Sequence, residues 1–273
     1  MRFMDLTQPE YSYMFGFLQA DGTLSAGPGD KGKLTVELSR TDREILLRFQ
    51  ELCPYPSSVR DRTRNTNFKD NHQASTWTMC SFEGRTMLFA LGMPYGKKSQ
   101  IIRPPTGPHR ARDYVRGLVD ADGSVGFTAK GPPFVSLTTS SDAIKDYFVE
   151  FCHGISGAER SPNRNRRDNV YNIVYFNEHA VAIAKALYYD GALALPRKAE
   201  KAAMATAWTR PPAQPRPRTP QRPWTPDEDA VVLTRKPRFA AAILDRSAAN
   251  CSLRASKLRK LMAASRPGPL GSA

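Results

Sequence analysis

Hydrophobic positions along this chain alternate between stretches of helical period and stretches of strand period, and the order of those stretches repeats. The apolar run before Asp21 reads as a helix. It starts at Thr7-Gln8-Pro9-Glu10, where Thr7 can cap, Glu10 follows three positions on and Pro9 fits the first turn. It stops near Asp21, with Gly22 just past its end. Leu34-Thr35-Val36-Glu37-Leu38 alternates as a half-buried strand does. A helix over about 41–52, strands near 58–64 and 75–82, a helix near 84–91 and a short helix starting near Lys98 follow. The next segment repeats that order. It has a helix near 109–122, strands near 124–129 and 134–139, a helix near 142–153, strands near 158–162 and 170–176, and helices near 178–188 and 197–208. Each half is roughly αββαββα, so the expected fold is α+β and duplicated.

The repeat is also literal. Met14-Phe15-Gly16-Phe17-Leu18-Gln19-Ala20-Asp21-Gly22 matches Val115-Arg116-Gly117-Leu118-Val119-Asp120-Ala121-Asp122-Gly123 at a spacing of 101. Asp42 and Asp142, Arg60 and Arg160, Arg64-Asn65 and Arg164-Asn165, and Lys97-Lys98 and Arg197-Lys198 recur at a spacing of 100. A period this long exceeds a solenoid unit. It reads as two half-domains related by a pseudo-two-fold axis, residues 1–105 and 106–209. Residues 210–223 hold six prolines, an extended linker. A small all-α module follows at 224–262, and a disordered tail at 263–273.

Charge changes the picture of partners. The chain of 273 residues carries a net charge of +14. From Arg210 onward 13 Lys and Arg stand against 4 Asp and Glu, so nine of those charges sit in the last quarter. Such a surplus points to nucleic acid. No run of 18 apolar residues offers a membrane span. Cys53, Cys80, Cys152 and Cys251 are widely separated and read as reduced thiols of an intracellular protein, and the four scattered histidines argue against zinc.

The chemistry lies in the paired helix ends. Gly16 and Ala20, and Gly117 and Ala121, put small residues four apart on one helix face. Two such helices can pack closely and bring Asp21 and Asp122 side by side. A carboxylate at a helix C-terminus opposes the helix dipole, and two together repel. A divalent cation resolves both problems, and hard oxygen ligands favour Mg²⁺. In a basic protein, metal suggests phosphodiester chemistry.

These two nonapeptides resemble the LAGLIDADG motif of homing endonucleases, in the single-chain form with two motifs, over about residues 7–208. The resemblance implies a site-specific, double-strand DNA endonuclease whose motif helices form the interface between halves and whose sheets form a saddle over the major groove. It implies that Asp21 and Asp122 bind Mg²⁺ (or Mn²⁺) at the scissile phosphates, with the carbonyls of Ala20 and Ala121 as supplementary ligands. It also implies that Lys98 and Lys198 are the basic catalytic residues near each last helix, that Arg40 is a polar contact after the second strand, and that the products carry 3′ overhangs. Gln19 stands where the second motif has Asp120, a position the resemblance makes structural. Two other members of the same fold remain as alternatives: a non-cleaving transcription regulator, which tends to lose the acids kept here at both ends, and a maturase that binds intron RNA.

Arg60, Arg62 and Arg64 share one strand face, and Asn65 continues the polar run. Arg160, Arg164 and Asn165 repeat the theme, and Arg197 stands beside Lys198. Arginine forks read guanine and asparagine reads adenine in the major groove, and both touch phosphate. Beyond the linker, Trp224 with the acidic run Asp227-Glu228-Asp229, then Arg246-Ser247, then a basic helix bearing Arg254, Lys257 and Arg259 resembles a Myb/SANT-like helix-turn-helix. Leu253, Leu258 and Leu261 are available for its packing, and its last helix would be the DNA-reading one. The expected protein is a cytoplasmic, nucleoid-associated monomer.

Overall fold

Both motif runs are helices: α1 (Pro9–Asp21) and α4 (Ala111–Asp122). The computed structural model describes residues 2–64, 71–212 and 222–264. The chain separates into two compact units, residues 1–211 and 212–273. In the first unit, every residue of α1 from Tyr11 to Gln19 and of α4 from Asp113 to Asp120 is buried. Helix α1 is largely apolar all round, as a helix hidden on all sides requires, whereas α4 buries Asp113, Arg116 and Asp120, with Arg116 donating to Asp113 at 2.7 Å. The two helices pack on each other more extensively than any other pair of elements. The contact is backbone against backbone at two points. A Cβ on Gly16 would lie 2.2 Å from the Tyr114 carbonyl oxygen, and one on Gly117 would lie 2.2 Å from that of Tyr13.

Around this pair each half builds one antiparallel sheet. The first half contains β1 (Thr23–Leu24), β2 (Leu34–Ser39), α2 (Arg43–Leu52), β3 (Ser57–Arg64), β4 (His72–Met79) and α3 (Phe82–Ala90). Its strands lie in the order β1-β2-β4-β3. The second half contains β5 (Gly123–Phe127), β6 (Pro133–Thr139), α5 (Asp142–Ser156), β7 (Tyr171–Phe176), α6 (Asn177–Leu187) and α7 (Pro196–Thr206), with strand order β5-β6-β7. Alternation decides which face is buried. Leu34, Val36, Trp77 and Met79 in one sheet, and Val125, Val135, Leu137, Ile173 and Tyr175 in the other, point into a single apolar core that spans both halves.

The order of elements matches the duplicated α+β reading, with local departures. Residues 158–162 form no strand, and the second sheet has three strands rather than four. The stretch is polar without alternation. Arg160 of this stretch lies over the Tyr175 ring, and just beyond it Arg164 makes an isolated bridge to Tyr171. No helix follows Lys98. The N–H groups of Ile101 and Ile102 both reach the Lys98 carbonyl, making one turn, and Pro104-Pro105 then stops it. Thr7 does not cap α1. Its hydroxyl donates to Asp5 at 2.7 Å, and the N-cap residue is Gln8. Gly22 ends α1 in an extended conformation, not a left-handed one. It is glycine for closeness, since a Cβ there would lie 2.6 Å from the Leu18 carbonyl oxygen.

The second unit holds α8 (Pro226–Thr234), α9 (Pro237–Leu244) and α10 (Ala248–Ala264). Thr225 and Glu228 make a full capping box at the start of α8. Val232, Ala240, Cys251 and Ala255 form a small core, flanked by Trp224, Leu244 and Leu258. Leu258 packs as expected, whereas Leu253 is 71% exposed and Leu261 55%. Cys251, Ala255 and Leu258 define the inward stripe of α10, and the other two leucines lie off it. Of the expected linker, residues 213–221 lie outside the described residues, as do residues 265–273 of the expected tail. No described helix is long and apolar enough to cross a membrane.

Candidate active site and nucleic-acid interface

Because α1 and α4 touch at Gly16 and Gly117, their last residues end together. Asp21 and Asp122 are accessible to water yet surrounded by the protein of both halves. Burial raises the Asp21 carboxyl above its ordinary range, opposed by the positive charges of Lys98 and Lys198. Burial and then the Asp21 charge push the Asp122 carboxyl up to about 6, against the same two lysines. Among the described residues, no hydrogen-bond or ion-pair donor reaches either carboxylate. Two carboxylates raised by burial, the second also by the charge of the first, and both without donors among the described residues, fit a hard divalent cation. No group of three or more His, Cys, Asp or Glu side chains gathers among the described residues. A cation here would therefore depend on these two acids and main-chain oxygens.

Lys98 and Lys198, the expected basic catalytic residues, make their hydrogen bonds to main-chain carbonyls at the motif helix ends. Both are buried. Lys98 Nζ donates to the carbonyls of Gln19 and Ala20. Lys198 Nζ donates to those of Val119 at 2.8 Å, Asp120 at 2.6 Å and Gly123 at 2.8 Å. Each amine thus caps the carbonyl end of its motif helix, where the dipole favours positive charge. Burial lowers Lys98 below its ordinary value, opposed by Asp122 and Asp21. Burial brings Lys198 down to about 8. The Ala20 carbonyl, an expected metal ligand, already accepts from Lys98. No bond from Lys198 to the Ala121 carbonyl is formed. Lys198→Met should cost about 3 kcal/mol, since it strips a charged donor from buried carbonyls. Urea unfolding without metal checks this; unchanged stability with lost activity would support the catalytic role.

Behind the acids lies a symmetric pair that sequence reasoning missed. Tyr13 donates to Asp120 Oδ2 at 2.8 Å, and Tyr114 donates to Gln19 Oε1 at 2.6 Å. The signal was present, because the tyrosines recur at the motif's own spacing of 101. Asp120 also accepts from Tyr188 and from the Leu195 N–H, and Gln19 donates to the carbonyls of Gly92 and Arg103. The position is structural in both halves, and each residue suits its partners. Burial pushes both phenols well above their ordinary range, so they remain donors.

The expected DNA-binding residues divide into two sets. Arg60 and Arg62 are exposed on the outer face of β3, Arg62 at 3.6 Å from Glu37. Arg40 is exposed, 3.9 Å from Asp61. Arg64 ends β3 opposite His72, and Asn65 lies outside the described residues. Arg160 is exposed over the Tyr175 ring, and Lys257 and Arg259 are exposed on α10. The other set is held more closely by partners within the chain. Arg164 binds the carbonyls of Asn169 and Ser140 and the Asp142 carboxylate, over the Tyr171 ring. Asn165 closes a turn by accepting from the Asp168 N–H at 2.7 Å. Arg197 makes a two-pronged pair with Asp42 of the other half, at 2.9 Å on each prong. Arg254 pairs likewise with Asp229, at 2.7 Å on each. Arg64 and Arg164 are therefore not structural equivalents, since one sits in a strand and the other anchors a loop.

No protein-family model matches the sequence, and no curated protein sequence does. Solved structures do resemble the fold. The homing endonuclease I-WcaI bound to its DNA recognition sequence is 11% identical, covering 72% of this chain and 87% of that one, with a TM-score of 0.49. The N-terminal LAGLIDADG domain of DUF199/WhiA is 14% identical over 68% and 85%, with a TM-score of 0.44. I-DmoI in complex with DNA and Mn is 12% identical over 66% and 97%, with a TM-score of 0.43. The functional reading rests on the residues of this chain.

Proposed function

We propose that this protein is a divalent-metal-dependent, site-specific endonuclease of the LAGLIDADG type that cuts both strands of a DNA duplex. The observation that carries the reading is the meeting of Asp21 and Asp122 at the joined ends of α1 and α4, with no donor among the described residues on either. Asp21, Asp122 and the Ala121 carbonyl would hold the cation. Bound there, Mg²⁺ or Mn²⁺ supplies Lewis-acid chemistry, acidifying water and neutralising charge at the scissile phosphate. The chain's own groups prepare that site. Gly16 and Gly117 fix the helix separation, Lys98 and Lys198 hold the helix ends and help keep both acids ionised, and Tyr13 and Tyr114 lock the turn behind them. The outer sheet faces, with Arg60 and Arg62 on the first, would lie on the duplex. The test is selection from a randomised duplex library with Mg²⁺, with sequencing of the cut ends. A recurrent site cut in both strands supports the reading. Specific binding with no cut supports a non-cleaving regulator, the reading favoured by the lysine amine on the Ala20 carbonyl.

Two further expectations arise. In chelator, Asp122 binds its proton more tightly folded than unfolded. Metal-free stability should therefore fall as pH rises from about 4 to about 6 and then level. Allowing for solvent screening, the fall is on the order of 1 kcal/mol. It should be absent in Asp122→Asn and reversed by Mg²⁺ at neutral pH, as thermal melts would show. Separately, we propose the three-helix unit as a Myb-like accessory that adds phosphate contacts through residues such as Lys257 and Arg259. Truncation at Arg210 removes most of the positive surplus. It should weaken binding and flatten the slope of log K against log salt by roughly 0.9 per lost contact. An unchanged slope would mean that this charge is not used on DNA.

A further inference from the structure

The two sheets present unlike outer faces. On the first, alternation and register place Thr23, Thr35, Thr78 and Ser58 in one row, Glu37, Thr76 and Arg60 in the next, and Ser39, Ala74 and Arg62 in a third. Hydroxyls dominate, and two exposed arginines stand at the edge. On the second, the rows are Ser124, Ser136 and Val174; Gly126, Phe134 and Phe176; and Thr138 with Asn172. No strand residue on this face is charged. Phe176 is 39% exposed, and Phe134 and Val174 are half-buried. Gly126 leaves room for the edge of the Phe134 ring, which a Cβ would meet at 3.6 Å, and for the Lys201 stem at 3.9 Å. Thr138 donates to Asn172 Oδ1 at 3.0 Å, which fixes the plane of an exposed amide.

We infer that the DNA target is chemically asymmetric: the half under the first sheet presents guanines to Arg60 and Arg62, and the half under the second is A·T-rich. The inference rests on the proposed endonuclease reading and deepens it. Guanine offers two acceptors to an arginine fork, adenine pairs with the two-headed amide of asparagine, and thymine alone carries a methyl group into the major groove. An uncharged face of Phe134, Val174 and Phe176 beside Asn172 matches thymine methyls and adenine edges. Its strands give guanine no charged donor, and the nearby cation Lys201 belongs to α7, its stem passing beside Gly126. The loss of a fourth strand from the second sheet removes the place where the first sheet carries its arginines. Arg160, the sequence counterpart of Arg60, lies outside any strand over the Tyr175 ring, and Arg164 is held by Asp142.

The test uses the full chain in Ca²⁺, with duplexes selected by binding and then assayed for cutting in Mg²⁺. The enriched site should have one half with guanines that relax in Arg60→Ala and Arg62→Ala, and an opposite half rich in A and T. Replacing thymine by uracil in that half removes only the methyl. It should weaken wild-type binding about fourfold per contacted base, the factor one buried methyl commands. The same replacement in the other half should have no effect. Phe176→Ser, at an exposed position, should abolish the difference between thymine and uracil without lowering the melting temperature. A selected, cleavable site with guanines in both halves, or indifference to uracil in the A·T-rich half, would overturn the inference and leave the endonuclease reading standing. No enriched duplex at all would overturn both.

Discussion

Asp21→Asn and Asp122→Asn should each eliminate double-strand cleavage while leaving duplex binding in Ca²⁺ largely intact. Each substitution keeps the shape of the side chain and removes one of the two acids that meet at the site among the described residues. The several kcal/mol of charge stabilisation supplied by a bound metal amount to a rate loss on the order of a thousandfold or more. Unfolding cannot account for the loss. Both carboxyls sit above their ordinary range in the metal-free protein, so replacing either relieves a cost of burial and repulsion. The variants should melt at or above the wild-type temperature in chelator, and lose the rise that Mg²⁺ gives the wild type. Gel assays for nicked and linear product, run beside thermal melts, check both halves of the expectation. A double Asn variant that still cuts would remove these acids from the mechanism.

What the sequence made legible was whatever repeats or alternates. The motif helices, their glycines and their final acids were readable because two copies at one spacing exclude chance, and β2 because Leu34 to Leu38 alternate; β1, two residues long, shows no pattern. What it concealed depends on partners brought together only by folding. Arg164, Arg197 and Arg254 look like DNA ligands in sequence, since an arginine does not announce whether Asp142, Asp42 or Asp229 lies beside it in space. Lys98 and Lys198 could be read from the repeat as a matched basic pair, whereas their hydrogen bonds to buried helix-end carbonyls follow from folding and no pattern displays them. The irregular stretch before Val170 mimics its counterpart by residue type, but Pro162 and the run of polar residues leave no alternating apolar face to bury. Propensity also misassigned Thr7, whose hydroxyl found Asp5 closer than the helix N-terminus.

The glycines at the helix crossing set the geometry on which the acids depend, and their substitution should have the largest effect on folding. A Cβ at Gly16 or Gly117 would stand 2.2 Å from a main-chain oxygen, which has no rotamer by which to yield. The helices must separate instead. Alanine would gain about 1 kcal/mol in helix propensity, but overpacking should cost about 3 kcal/mol. Each alanine variant should thus lose about 2 kcal/mol, or roughly 4–8 °C in melting temperature for a unit of this size. Valine at position 117 adds two methyl groups facing the Tyr13 oxygen and the Phe17 nitrogen, and should leave little folded protein at 37 °C. The two alanine substitutions act on one crossing, so they should not add. Once the first has pushed the helices apart, the second meets a wider gap and costs less. Strictly additive losses would mean that the two contacts yield independently and that the helix pair is not the rigid element that sets the spacing of Asp21 and Asp122. Cleavage should fall further than stability in the alanine variants, because parting the helices parts the acids as well.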